Sequence, residues 1–163
     1  MNAPDMPRDA WAATLERLAA MPAFVEAALH EAGEENFCVR PSADDFALVE
    51  QACHLRDLER EGYLVRVRRI LTESSPRLEA FDGQAVAAAC GYADQDAHAA
   101  AQDFAAARRE LLAVLGALSP ADLGREAVFD DGRITLAELV TLIDAHDNGH
   151  REEIERILDG IED

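Results

Sequence analysis

Apolar positions along the chain fall into four long stretches with the period of a helix. In the first, Trp11, Leu15, Leu18, Val25 and Leu29 share one face. Proline in the first turn starts this helix near Pro7 or Arg8, and Gly33 closes it. Pro22 within it predicts a kink or a break into two helices, because proline lacks the backbone donor and crowds the preceding turn. The second stretch, from about Asp44 to Thr72, carries Phe46, Val49, Cys53, Leu58, Tyr63, Val67 and Leu71. Ser42 or Asp44 is its candidate cap, and Ser74-Ser75-Pro76 ends it. The third, from about Asp94 to Leu118, repeats Ala97, Ala101, Phe104, Arg108, Leu111, Leu115 and Leu118 at alternating spacings of four and three. The fourth opens on the capping box Thr135-x-x-Glu138, carries Leu139, Ile143, Ile154 and Ile157, and runs to about Leu158 before Gly160.

The connections differ in kind. Glu34 to Ser42 joins the first two stretches. From Pro76 to Tyr92 the periodicity lapses: Phe81-Asp82-Gly83 marks a turn, and Gln84 to Cys90 suits a short helix. This connection is long enough to cover one end of a bundle. Ser119-Pro120-Ala121-Asp122 opens one short helical turn that Gly124 ends, and Asp130-Asp131-Gly132-Arg133 is a turn. Four long helices predict an all-α four-helix bundle, with residues 1–163 forming one domain.

Composition narrows the function classes. Hydrophobic residues make up 49% of the chain and aromatics only 6%, which favours closely packed helices over sheets. The formal net charge of −18 repels a phosphate backbone, so nucleic acid is not an expected partner. The short basic cluster Arg66, Arg68 and Arg69 is flanked by acids and reads as a solvated, ion-paired helix face. No apolar run reaches the roughly 18 residues of a membrane span. Met1-Asn2-Ala3-Pro4-Asp5 lacks the charged-then-apolar order of a signal peptide, which points to the cytoplasm. The three cysteines, Cys38, Cys53 and Cys90, form no C-x-x-C and read as reduced apolar fillers.

The candidate chemistry lies in the histidines. His146 and His150 are one turn apart, roughly 6 Å of rise, and stand on the same helix face in register with Ile143 and Ile154. Such a pair alone is a weak signal, common on surface helices. His54 adds a third imidazole on another long helix, and three imidazoles directed to one bundle interior are economically explained by a metal. Three neutral histidines leave a tetrahedral ion one open position, and the set suits zinc, nickel or ferrous iron. Metal affinity is then expected to fall below the ordinary histidine pKa of about 6.5. His30 and His98 have no partner at helical spacing. Asp57, three residues after His54, and Glu50, four before it, are candidate catalytic acids or bases, or exposed carboxylates paired with nearby arginines. Arg108 interrupts an apolar stripe; its stem either snorkels to solvent, the commoner arrangement, or it is a buried cation beside a polar pocket.

The run His54-Leu55-Arg56-Asp57-Leu58-Glu59, continuing through Gly62-Tyr63-Leu64-Val65-Arg66-Val67-Arg68-Arg69-Ile70-Leu71, resembles the second helix of the DinB-like superfamily, also called YfiT-like metal-dependent hydrolases. Arg40-Pro41, Phe81-Asp82-Gly83, Gly132-x-x-Thr135-Leu136 and His146-x-x-x-His150 fit the same pattern in order and separation. Phe46 stands where the family usually has tryptophan. The resemblance implies a three-histidine divalent-metal site at His54, His146 and His150, possible homodimers, and relatives that use low-molecular-weight thiols as transferases or isomerases. Two readings follow. One is a metal-dependent hydrolase or thiol-dependent transferase acting on a small molecule. The other is a non-catalytic metal- or ligand-binding bundle.

Overall fold

The computed structural model describes residues 7–162; the N-terminal stretch on which the cytoplasmic expectation rests lies outside them. Four long helical rods make a four-helix bundle. They are α1 (Arg8–Ala32), the rod formed by α2 (Leu48–Asp57) and α3 (Leu64–Thr72), α5 (Ala97–Gly116) and α7 (Leu136–Glu162). Between α3 and α5 lies the short α4 (Gly83–Cys90), and between α5 and α7 lie α6 (Pro120–Leu123) and the hairpin β1 (Glu126–Phe129) with β2 (Gly132–Thr135). The α5 helix packs against both α1 and α2, and α1 packs against α7. No helix among the described residues is long and apolar enough to cross a membrane.

Pro22 does not break α1, which runs unbroken from Arg8 to Ala32. Proline at this position removes the N–H that would bond the carbonyl of Leu18, one turn earlier. The Arg108 guanidinium replaces it, Nη1 donating to Leu18 O at 2.9 Å. The second rod starts later than its periodicity suggested. Ser42 and Asp45 close a local turn through the Ser42 hydroxyl, and helix begins only at Leu48. Its first turn is held by Glu50, whose carboxylate accepts the Ala47 N–H at 3.1 Å. Midway, Leu58–Tyr63 widen into a π-helical turn. A turn with an extra residue re-aims the side chains that follow it. Here Leu58, Glu59, Gly62 and Tyr63 are all buried, while Arg60 and Glu61 are exposed.

The last helix begins at the expected capping box, with Glu138 N–H bonded to Thr135 Oγ1 and Thr135 N–H to Glu138 Oε2, each at 3.1 Å. It continues through Gly160 to Glu162. Asp130 and Asp131 form the two-residue turn of the hairpin, both in the left-handed region at φ 48° and 62°. That conformation matches the twist of a tight hairpin and is tolerated by aspartate. These strands were not legible as strands, yet they have a structural consequence. Leu78 N–H bonds Val128 O and Val128 N–H bonds Pro76 O, each at 2.8 Å. The hairpin thereby pins the chain after α3, and that segment leads to Phe81 and Asp82 at the mouth of the pocket described next.

Candidate metal centre

His54 comes from α2, and His146 and His150 from consecutive turns of α7. Their rings close on one point: the centroids are 4.3 Å apart for His146–His150, 4.8 Å for His54–His150 and 5.8 Å for His54–His146. One ring nitrogen from each lies within 4.8 Å of the others. The two Nε2 atoms on α7 face each other at 3.2 Å. Two ligands at about 2.0–2.1 Å from a tetrahedral ion stand roughly 3.3–3.4 Å apart, so the pair has the spacing of two ligands to one metal.

The protein fixes the chemistry of these rings. His150 Nδ1–H donates to Gln51 Oε1 at 2.7 Å, which leaves the Nε2 lone pair turned to the centre. The Gln51 amide is oriented in turn by donating to Glu153 Oε2 at 2.7 Å. His54 Nδ1 and His146 Nδ1 are buried without a partner among the described residues. Such orphans are costly and rare in a packed interior; on His146 the orphan is the nitrogen opposite the Nε2 that faces His150. Burial, reinforced by the other rings, lowers the pKa of His54 to about 3 and that of His150 to about 3; burial also lowers His146. All three imidazoles are therefore neutral near pH 7, the form that binds a metal. Protons are therefore expected to compete for these rings only below the ordinary value of about 6.5.

The cluster lines a cavity of about 380 Å³ between the bundle and the connections. Phe46 flanks His54 at 5.4 Å between centroids, and Phe81 lies at 6.3 Å on another side. Gly83, at the start of α4, permits this arrangement: a Cβ there would come within 2.7 Å of His54 Cε1. The rim carries Asp44, Asp45, Asp82 and Glu153, with no lysine or arginine among the lining residues.

The remaining candidates lie elsewhere. Asp57 is bound by Arg56 at 2.8 Å and by the Tyr92 hydroxyl at 2.6 Å. Burial raises its pKa, but those two donors outweigh burial and hold it below the usual carboxylate range. Glu50 is paired with Arg40 at 2.7 Å besides capping α2. Neither carboxylate lines the cavity. Arg108 does not snorkel: it is 1% exposed, and all five of its N–H donors are used within the protein. It is a buried cation, but it does not line the cavity. Cys53 points into the core, where burial raises its thiol pKa to about 11, in keeping with a filler. Gln51 and Glu153 were missed. Each stands three residues from a histidine of the cluster on its own helix, a spacing that marks a candidate orienting partner.

Among solved structures, the chain is similar to YfiT from Bacillus subtilis, described as a probable metal-dependent hydrolase with an unusual four-helix bundle topology. The TM-score is 0.86 at 18% identity, over 96% of this chain and 90% of that one. At that identity the likeness establishes the fold. A search of curated proteins gives no match. The profile of the DinB superfamily matches residues 7–154, and with nearly the whole described chain inside that match the protein belongs to the DinB superfamily.

Proposed function

We propose that the protein is a divalent-metal enzyme acting on a small molecule, with His54, His146 and His150 as the ligands and one position left for water or substrate. The convergence of three neutral imidazoles at the wall of an open cavity carries this reading. All-imidazole donors suit zinc, nickel or ferrous iron. A divalent ion so held supplies Lewis acidity, which acidifies a water or thiol and polarises a carbonyl.

The chain's own residues do the rest. Gln51 and Glu153 hold His150 in the ligating tautomer. Phe46 and Phe81 wall the cavity and limit the approach of water. Glu153 touches a ligand histidine through Oε2 and also lines the cavity, so it is our candidate to accept a proton from the nucleophile. Hydrolysis fits this layout, as does transfer of a low-molecular-weight thiol. The thiol and a homodimer enter the proposal through the family resemblance.

Metal analysis of the purified protein should find about one divalent ion per chain. The loaded protein should then be offered simple esters and amides, and thiols with electrophiles. Turnover that disappears in His150→Ala, with helix content and melting intact, is the expected result. Bound metal without turnover on any of these substrates would leave the non-catalytic bundle as the better reading.

A further inference from the structure

The basic cluster on the second rod resolves into three different arginines. Arg68 pairs with Glu110, and Arg69 pairs with Glu73. Arg66 has no ion-pair partner among the described residues; its hydrogen bond is to the backbone carbonyl of Glu79, at 3.0 Å. Its guanidinium is half-buried over the Phe129 ring, 5.0 Å from the centroid. Burial lowers its pKa, and Asp130 and Tyr63 act on it only at a distance. An unpaired, half-buried cation is an unusual expense in a chain with a formal charge of −18.

Arg66 lines a second chamber, of about 230 Å³, whose wall includes both His54 and His146. Phe81 borders this chamber and the acid-rimmed cavity alike, so the histidine cluster is reached from both. The chamber has apolar walls, among them Phe129, and a second polar group, Tyr63. Tyr63 is buried and packs edge-on to His146 at 6.1 Å between centroids. Among the described residues no side chain hydrogen-bonds its hydroxyl, so that donor is available to a ligand. The two approaches therefore differ in charge: four carboxylates on one side, and an arginine and a phenol on the other.

We propose that this chamber is a subsite for the anionic end of an apolar substrate, a carboxylate held between the Arg66 guanidinium and the Tyr63 hydroxyl. The subsite rests on the reading of the histidine cluster as a small-molecule site. It also gives the substrate an orientation, since the acidic rim repels the same carboxylate. The planar guanidinium suits a carboxylate better than an ammonium group would.

Phenylacetate and phenylacetamide have nearly the same shape and differ in charge, so their affinities for the zinc-loaded protein, measured by calorimetry, test the idea. Phenylacetate should bind about tenfold or more tightly, the scale of a charge-assisted hydrogen bond. Arg66→Gln should abolish the preference and Arg66→Lys should keep part of it, with zinc stoichiometry and melting unchanged in both. Tyr63→Phe should weaken phenylacetate by about threefold or more. Equal binding of acid and amide, or no binding of phenylacetate at millimolar concentration, would overturn the subsite. So would a preference that survives in Arg66→Gln, which would place the carboxylate on the ion. None of these outcomes depends on turnover, so a protein that hydrolyses neutral esters but shows no acid preference would lose the subsite and keep the proposed function.

Discussion

The bundle interior holds two polar triads that share one segment of α7 and behave in opposite ways. Glu59, Arg108 and Asp147 form a closed set. Arg108 Nε and Nη2 bond Glu59 at 2.8 and 2.9 Å, Nη1 and Nη2 bond Asp147 at 2.6 and 3.0 Å, and the remaining donor reaches Leu18 O. His54, His146 and His150 form an open set, with one ring nitrogen bound by Gln51 and two left orphaned. His146 and Asp147 are adjacent in sequence and point about 100° apart around the helix, one toward each triad. The difference teaches how to tell architecture from chemistry in a buried polar cluster. A cluster whose donors and acceptors are all used internally braces the fold. One whose lone pairs converge on one another, with further ring nitrogens left unpaired, is built for something added.

Breaking the closed triad should have the largest effect. Arg108→Met leaves Glu59 and Asp147 buried without their cation and removes the donor to Leu18 O, so thermal unfolding should show a loss of about 3–5 kcal/mol. Adding Pro22→Ala restores a backbone N–H for Leu18 O and should recover about 1 kcal/mol. A loss under about 1 kcal/mol in Arg108→Met would mean that the triad does not brace the fold.

The open triad should respond the other way round. His54→Ala should cost zinc affinity on the order of a hundredfold or more, read by competition with a chelator, while metal-free stability changes by less than about 1 kcal/mol. A variant that unfolds without metal, or binds zinc as tightly as the parent, erases the distinction. Gln51→Leu comes next in size. It removes the acceptor that fixes the His150 tautomer, and zinc affinity should drop about 10- to 100-fold. An unchanged affinity would show that His150 is oriented by packing alone.

The smallest expected effect is on the pH dependence of binding. With His54 and His150 near pKa 3, lowering the pH from about 7 to about 5.5 should change zinc affinity by less than about threefold. Ordinary imidazoles would lose about tenfold each over that step. Stability has its own sign. Above the unfolded pKa of 6.5 both states are neutral; as pH falls toward about 3 the unfolded chain takes up protons that the native rings refuse. Metal-free stability should therefore fall with acidification, at up to about 1.4 kcal/mol per pH unit for each histidine. A flat stability from about pH 6.5 to about pH 4 would mean that these rings accept protons in place.

The sequence by itself determined the four rods, several of their ends and the placing of His146 and His150 on one helix face. Helix periodicity, the Thr135–Glu138 box, Gly33 and the i, i+4 spacing of His146 and His150 are all local, and the chain folds locally as they dictate. Only the tertiary structure decided what the charged residues do. Asp57 and Glu50 had the right spacing to serve His54, yet each found an arginine first. Arg108 became buried because Glu59 arrived from the π-helical turn and Asp147 from α7, and the same guanidinium allowed α1 to pass through Pro22 unbroken. The start of the second rod was likewise set by a side chain, Glu50, holding the first turn at Ala47. The physical reason is one of range. Helix propensity and capping are settled within a few residues, whereas a buried charge is settled by partners brought from 39, 49 and 90 positions away.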